Sequence, residues 1–339
     1  MSTVIAQPGT APIRVTRLLA RPWPAGRVLR ILLGLVWLLD AALQFQPYMF
    51  SSAFVTKTIE PVAAGNPAVI ASPILWSAHL MAHHIVLCNA AFAAIQLAIA
   101  VGLFVRSTVR LALAASIVWS VFVWWFGEGL GGLLTGGSPL MGLPGAVILY
   151  AFIALLVWPS GDSEEPALAP ALGGAVGPGL ALRGPLGRLV PRLLWLLLWA
   201  KFAWYLLLSA NRAPNAVSQT FATAAGGQPG WVRAIENGLA GLTAQHGLAV
   251  SVVLAVLCAA AGLGIFAGRL TRPALVLAGL LGVAFWVAEG FGGIATGQAT
   301  DPNTGPLLIL LAACFWPPAR EAVAGGARDH SPSSLVALS

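Results

Sequence analysis

Two histidine–glutamate combinations recur along the chain, His84 with Glu128 and His246 with Glu289. An imidazole facing a carboxylate can relay a proton, hold a metal or form a plain hydrogen bond. Spacing decides whether the two can face each other. His84 lies 22 residues before Arg106, and Glu128 lies 22 residues after it. Antiparallel helices joined at one turn place such residues at the same height, about 33 Å from the turn. His246 is 23 residues before Arg269 and Glu289 is 20 after it, so the pairing recurs. These four are the candidate catalytic residues, near the outer membrane interface. Three readings of each glutamate stay open: a solvated interfacial group beside residues such as Trp124 and Trp125, a cap on a helix break, and a direct ligand or proton role.

A second group sits deeper. Asp40 is ten residues after Arg30, Lys201 is nine after Arg192, and Gln96 is ten before Arg106. Polar groups at midplane depth are costly and usually paired or functional. Asp40, Lys201 and Gln96 are therefore candidate substrate-binding residues. Asp40 and Lys201 are also expected to meet as an opposite-charge pair, either a structural lock or part of a pathway. His79 and His83 have the i, i+4 spacing of metal-binding pairs, but Gly241 and Gln245 stand at the corresponding later positions, and no metal is assigned. Cys88, Cys258 and Cys314 each lie in apolar runs without a CxxC partner, which reads as small buried hydrophobes.

The elements that must position these residues are membrane helices. Of 339 residues, 58% are hydrophobic and only 9% charged, and the mean hydropathy is +0.85. Soluble chains carry roughly 25% charged residues, so a soluble enzyme, a nucleic-acid-binding domain and a disordered chain are excluded. Eight apolar runs follow one another: 31–50, 80–105, 111–126, 145–158, 193–209, 247–267, 274–288 and 306–316. The first is about the length that spans a bilayer and follows a 30-residue basic arm, so it reads as a retained helix rather than a signal peptide. The last run is only 11 residues, about 17 Å of helix. Either its helix starts earlier or the connection dips into the membrane, where irregular backbone must be buried or line a wet cavity.

Charge sets the orientation. With the N-terminus cytoplasmic, 14 arginines fall on inside segments, against Lys57, Arg212 and Arg233 outside. That asymmetry favours both termini inside. It also explains the net charge of +7 without nucleic acid as a partner. The long outer loops contain segments such as 231–237 that read as short amphipathic helices on the outer surface.

The two halves read as one unit repeated. At an offset of 162, Arg30 and Trp37 match Arg192 and Trp199, Gly65-Asn66-Pro67 matches Gly227-Gln228-Pro229, and His84 matches His246. At 161, Glu128-Gly129-Leu130-Gly131-Gly132 matches Glu289-Gly290-Phe291-Gly292-Gly293. An even number of spans per unit gives both copies the same orientation, as in parallel-repeat transporters. No strand precedes the glycine runs, so they are not nucleotide loops. They read as breaks at membrane depth or as small-residue helix contacts.

The expected architecture is all-α and polytopic, with eight transmembrane helices in two parallel four-helix repeats. It divides into a cytoplasmic arm (1–27), a first unit (28–158), a cytoplasmic linker (159–189), a second unit (190–317) and a cytoplasmic tail (318–339). A four-helix unit with a long first outer loop, a short basic turn between helices two and three, and a Glu-Gly-x-Gly-Gly break after helix three resembles the DoxX/DoxD-type membrane proteins, here in tandem. That resemblance implies a bacterial inner-membrane protein with a redox role and quinone as cofactor. The residues themselves leave three functions open: redox or small-solute handling at an outward-facing cavity, a small-solute transporter using the interface between the units, and a non-catalytic scaffold. The corresponding partners are the lipid bilayer, a quinone or small solute, and further membrane subunits.

Overall fold

The computed structural model describes residues 25–159, 180–182, 184 and 186–317. The expected arm up to residue 24, most of the linker with Arg183, and the tail with Arg320 and Arg328 lie outside the described residues. Among the described residues every regular element is helical. Five helices are long and apolar enough to cross a membrane: Ile85–Phe104, Val109–Phe126, Leu189–Leu206, Gly247–Gly264 and Gly268–Ala288. The protein is therefore membrane-embedded. Large apolar side chains project outward from these helices, including Leu111, Val118 and Leu280, as hydrocarbon surroundings allow.

We number the principal helices in chain order. α1 (Ala25–Leu43) carries Arg27, Arg30 and Asp40, which lower its apolarity. It buries Leu29, Leu33, Trp37 and Asp40, a stripe at helical period. α2 (Ala68–His83) and α3 (Ile85–Phe104) are separate, because the backbone breaks at His84 (φ −133°, ψ 35°). The expected single run 80–105 is thus two helices. α3 buries Asn89, Ala93, Gln96, Ala100 and Leu103, and this narrow stripe packs along α1. α4 (Val109–Phe126) follows the basic turn.

The same steps recur later in the chain. α6 (Leu189–Leu206) buries Trp195, Trp199, Phe202 and Leu206. α9 (Gly247–Gly264) buries Ser251, Ala255, Cys258 and Gly262, and the two helices pack together as α1 and α3 do. α10 (Thr271–Ala288) follows the second basic turn.

The two short helices occupy the centre. α5 (Ala146–Leu156) has 11 residues and α11 (Thr304–Phe315) has 12, about 17 Å each at 1.5 Å per residue. A helix apolar on all faces belongs in the interior, and Tyr150, Ile153, Ala154, Leu307, Leu311 and Cys314 are completely buried. α5 and α11 pack on each other, and α11 also touches α1. The last helix begins at Thr304, so it starts two residues upstream of the expected run.

α7 (Ala216–Ala224) and α8 (Gly230–Thr243) pair with each other in the second long loop. α8 contains the expected amphipathic segment; it turns Val232 and Glu236 inward and leaves Trp231, Ile235 and Leu242 exposed. Both Glu236 carboxyl oxygens are buried without a hydrogen-bond partner, and burial pushes its pKa up to about 7. Between the ordinary carboxyl range and pH 7 the folded chain keeps a proton that the unfolded chain releases, so stability falls as pH rises through that window and is flat above it. Thermal midpoints measured in detergent from pH 4 to 9 are expected to show this decline, and Glu236→Gln is expected to remove that part of it. A variant with the same slope as the parent would refute the assignment.

Candidate functional site

Each glutamate of the repeated motif ends a long helix and precedes a turn of left-handed backbone. Gly129, Leu130, Gly131 and Gly132 have φ of +55°, +60°, +60° and +79°, and Gly290, Phe291, Gly292 and Gly293 have +59°, +55°, +68° and +63°. Left-handed helix costs an L-residue about 1–2 kcal/mol, so glycine fills three of four positions, and Leu130 and Phe291 carry the strain. The incoming segments cross at the third position. A Cβ on Gly131 would lie 1.8 Å from the Pro144 carbonyl oxygen, and one on Gly292 would lie 2.6 Å from that of Pro302.

This crossing brings the short helices back onto the glutamates. Glu128 Oε1 accepts hydrogen bonds from the Ala146 and Val147 N–H groups at 3.0 and 3.3 Å, the first turn of α5. Glu289 Oε1 accepts from the Thr304 hydroxyl at the start of α11. A carboxylate there satisfies free N–H groups and complements the helix dipole. The matched loop triplets supply a second brace: Asn66 Nδ2 donates to Gly129 O at 3.5 Å, and Gln228 Nε2 to Gly290 O at 2.8 Å.

The histidines do not join them. His84 and His246 are exposed residues at the starts of α3 and α9, whereas both glutamates bond to the short helices. Equal distance from a turn fixes height along a helix but not rotation about it. His79 and His83 lie side by side on the exposed face of α2, with ring centroids 4.5 Å apart and planes tilted by 60°. The expected Asp40–Lys201 pair does not form either. Asp40 is buried, whereas Lys201 is exposed with Nζ 5.9 Å from the Tyr205 ring centre. One residue is about 100° of helix rotation, and the residue 162 positions after Asp40 is not Lys201 but the buried Phe202.

Two cavities meet at Glu128. The outer one, of about 470 Å³, is lined by Asn66, Thr135, Asn303 and other polar loop residues. The inner one, of about 250 Å³, holds Asp40, Gln44 and Gln96 at its polar end and is walled by Phe92, Trp119 and Phe122. Glu128 and Asp301 line both. Trp76, Leu80 and Phe122, on the inner wall, are also exposed at the protein surface. Asp40 Oδ1, Gln44 Oε1, Gln96 Oε1 and Glu128 Oε2 are buried there with no hydrogen-bond partner. A third cavity, of about 500 Å³, lies at Glu289 and is lined by Leu140, Met141, Asn211 and Thr220.

Asp301 and Gln44 are site residues that the sequence alone does not single out. Asp301 sits in the irregular segment before α11; its oxygens accept from Asn303 N at 2.7 Å and the Thr300 hydroxyl at 2.9 Å. Burial raises its pKa, while those two bonds lower it. Compared with protein-family models, with curated proteins and with solved structures, the chain matches none.

Proposed function

We propose that this chain is a DoxX-like protein of a bacterial inner membrane, built as eight membrane helices in two parallel four-helix units with both ends cytoplasmic, and that it handles a small membrane-soluble molecule at the outward-facing cavity of its first unit. Support for the repeat comes from the buried stripes of α1 with α3 and of α6 with α9, which follow the same steps at an offset of 162, and from the two glutamate-capped short helices. Short helices stand where full spans are expected, so six long and two half-length helices make up the eight. One observation carries the function: an aromatic-walled inner cavity and an outer polar vestibule meet at Glu128 and Asp301. The resemblance to DoxX-type proteins makes a quinone the first ligand to try. The transporter reading through Asp40 and Lys201 loses its support, because those residues face apart.

The native cysteines test the cavity. Cys88 lines the inner wall and is half-buried, while Cys258 and Cys314 are fully buried. N-ethylmaleimide is expected to modify Cys88 alone in the folded protein, and a bound ligand to slow it. Equal modification of all three, or none before unfolding, would refute the cavity. Thr135 is exposed at the vestibule, so Thr135→Cys in whole cells is expected to react with a membrane-impermeant thiol reagent. Reaction only after lysis would reverse the orientation.

A further inference from the structure

The two cavities around the glutamates are built alike and equipped differently. Each is closed by a loop from the other half of the chain. The segment after Leu133 reaches the second half, where Tyr205 donates its hydroxyl to Leu133 O, Asn211 Nδ2 donates to Gly137 O at 3.0 Å, and Leu140 and Met141 line the Glu289 cavity. Reciprocally, the segment before Thr304 reaches the first half, where Gln46 Nε2 donates to Ala299 O at 3.2 Å and Asp301 lines both cavities at Glu128. The exchanged loop thus delivers Ser138, Leu140 and Met141 to one cavity and a carboxyl group to the other.

The walls diverge in the same sense. At an offset of 162, Asp40 corresponds to Phe202, Gln44 to Leu206, and Gln96 to Cys258; the later three are buried apolar residues in a closed core. Asp40 and Glu128 of the first half therefore share one enclosed region with Asp301 of the second, and neither cavity is lined by lysine, arginine or histidine among the described residues. Ionised together, they repel one another unless a cation joins them. Independently of that charge, Gln44 and Gln96 are more than nine-tenths buried on the cavity wall and each leaves its Oε1 without a partner. Trp119 Nε1 is an unpartnered donor on the same wall, which leaves the acceptors in the majority. Aromatic faces beside them suit a cation.

We propose that the inner cavity binds a protonated amine with an apolar or aromatic body, its ammonium held by Asp40, Glu128 and the glutamine oxygens, and that Asp301 from the second unit completes the site. The amine enters with its body among Phe92, Trp119 and Phe122 and its three N–H donors toward the unpartnered oxygens. This rests on the small-molecule reading above and names the ligand class for it. The second unit is then a closing module whose own cavity keeps a single carboxyl group, Glu289.

Calorimetric titration of the full chain in nanodiscs tests it with three isosteric probes: phenethylamine, phenethyl alcohol and phenylacetate. The amine is expected to bind at least tenfold more tightly than the alcohol, and phenylacetate not at all. Asp40→Asn and Asp301→Asn are each expected to weaken amine binding at least tenfold, whereas Lys201→Met leaves it unchanged. Variants count as folded when they elute as a single species and label at Cys88 like the parent. Equal binding of amine and alcohol, or folded Asp301→Asn with parental affinity, overturns the proposal while leaving the cavity. Binding of a short-chain quinone with no binding of the amine overturns it in favour of a neutral ligand. No probe bound and an unreactive Cys88 overturns the small-molecule reading as well.

Discussion

Gly131→Ala is expected to abolish folding of the first half, or to lower stability by roughly 3 kcal/mol or more. Two costs combine. Alanine at φ +60° pays about 1 kcal/mol, and its Cβ would sit 1.8 Å from the Pro144 carbonyl oxygen. That neighbour is backbone leading directly into α5, so it cannot rotate aside as a side chain would. Forced backbone shifts in a packed interior cost about 1–3 kcal/mol more. Movement at Pro144 also pulls Ala146 and Val147 off Glu128, which leaves buried N–H groups unsatisfied at about 1–3 kcal/mol. Gly292→Ala is expected to follow in the same direction but less severely, because the corresponding approach is 2.6 Å. Gly238 in α8 has no neighbouring atom within 4 Å of the place a Cβ would take, so Gly238→Ala is expected to be neutral or stabilising by up to about 1 kcal/mol. Thermal midpoints by fluorescence-detected size exclusion rank the three. A Gly131→Ala protein with the parental midpoint would show that the crossing is not fixed.

What the sequence reveals here follows from what repeats and what is periodic. The Glu-Gly-x-Gly-Gly runs stand out because they occur twice, and both prove to be sites where a helix ends and a second chain segment crosses. The stripe of α3 is legible from its spacing, and Gln96 with it. Rotation about a helix axis is harder to read. His84 and Glu128 are equally far from the turn in sequence, yet His84 is exposed while Glu128 bonds to the short helix, and Asp40 and Lys201 differ in register by a single residue, with one buried and the other exposed. Long-range docking leaves no local trace at all. Asp301 lies in a Thr-Asp-Pro-Asn turn that reads as an ordinary loop, and nothing in its neighbourhood tells that the loop packs back against the cavity at Glu128, in the other half of the chain. Gln44 is one turn past Asp40 in the sequence but lies just beyond the end of α1 at Leu43.

Asp40→Leu is expected to stabilise the protein while destroying the site. Asp40 is 1% exposed with Oδ1 outside hydrogen-bond geometry, and the polar neighbour it interacts with is the Tyr150 hydroxyl. Leucine removes a buried polar group from the interior, and replacing buried ionic groups with apolar ones has stabilised proteins by about 1–4 kcal/mol. On the proposed repeat the second half already embodies that exchange, since Phe202 stands 162 residues after Asp40 and is completely buried against Trp199 and Phe285. The reverse change, Phe202→Asp, is expected to cost roughly 3–5 kcal/mol through a cavity and a buried charge together. Phenethylamine binding in Asp40→Leu is expected to fall at least a hundredfold, more than in Asp40→Asn, because the amide still offers an acceptor oxygen. Combining Asp40→Leu with Lys201→Met is expected to give additive stability changes, as separated residues do. A lower midpoint for Asp40→Leu would mean that the carboxyl group holds the fold together through Tyr150. A higher midpoint with binding lost would mean that the chain keeps Asp40 against its own stability, and such a residue is retained for what it binds.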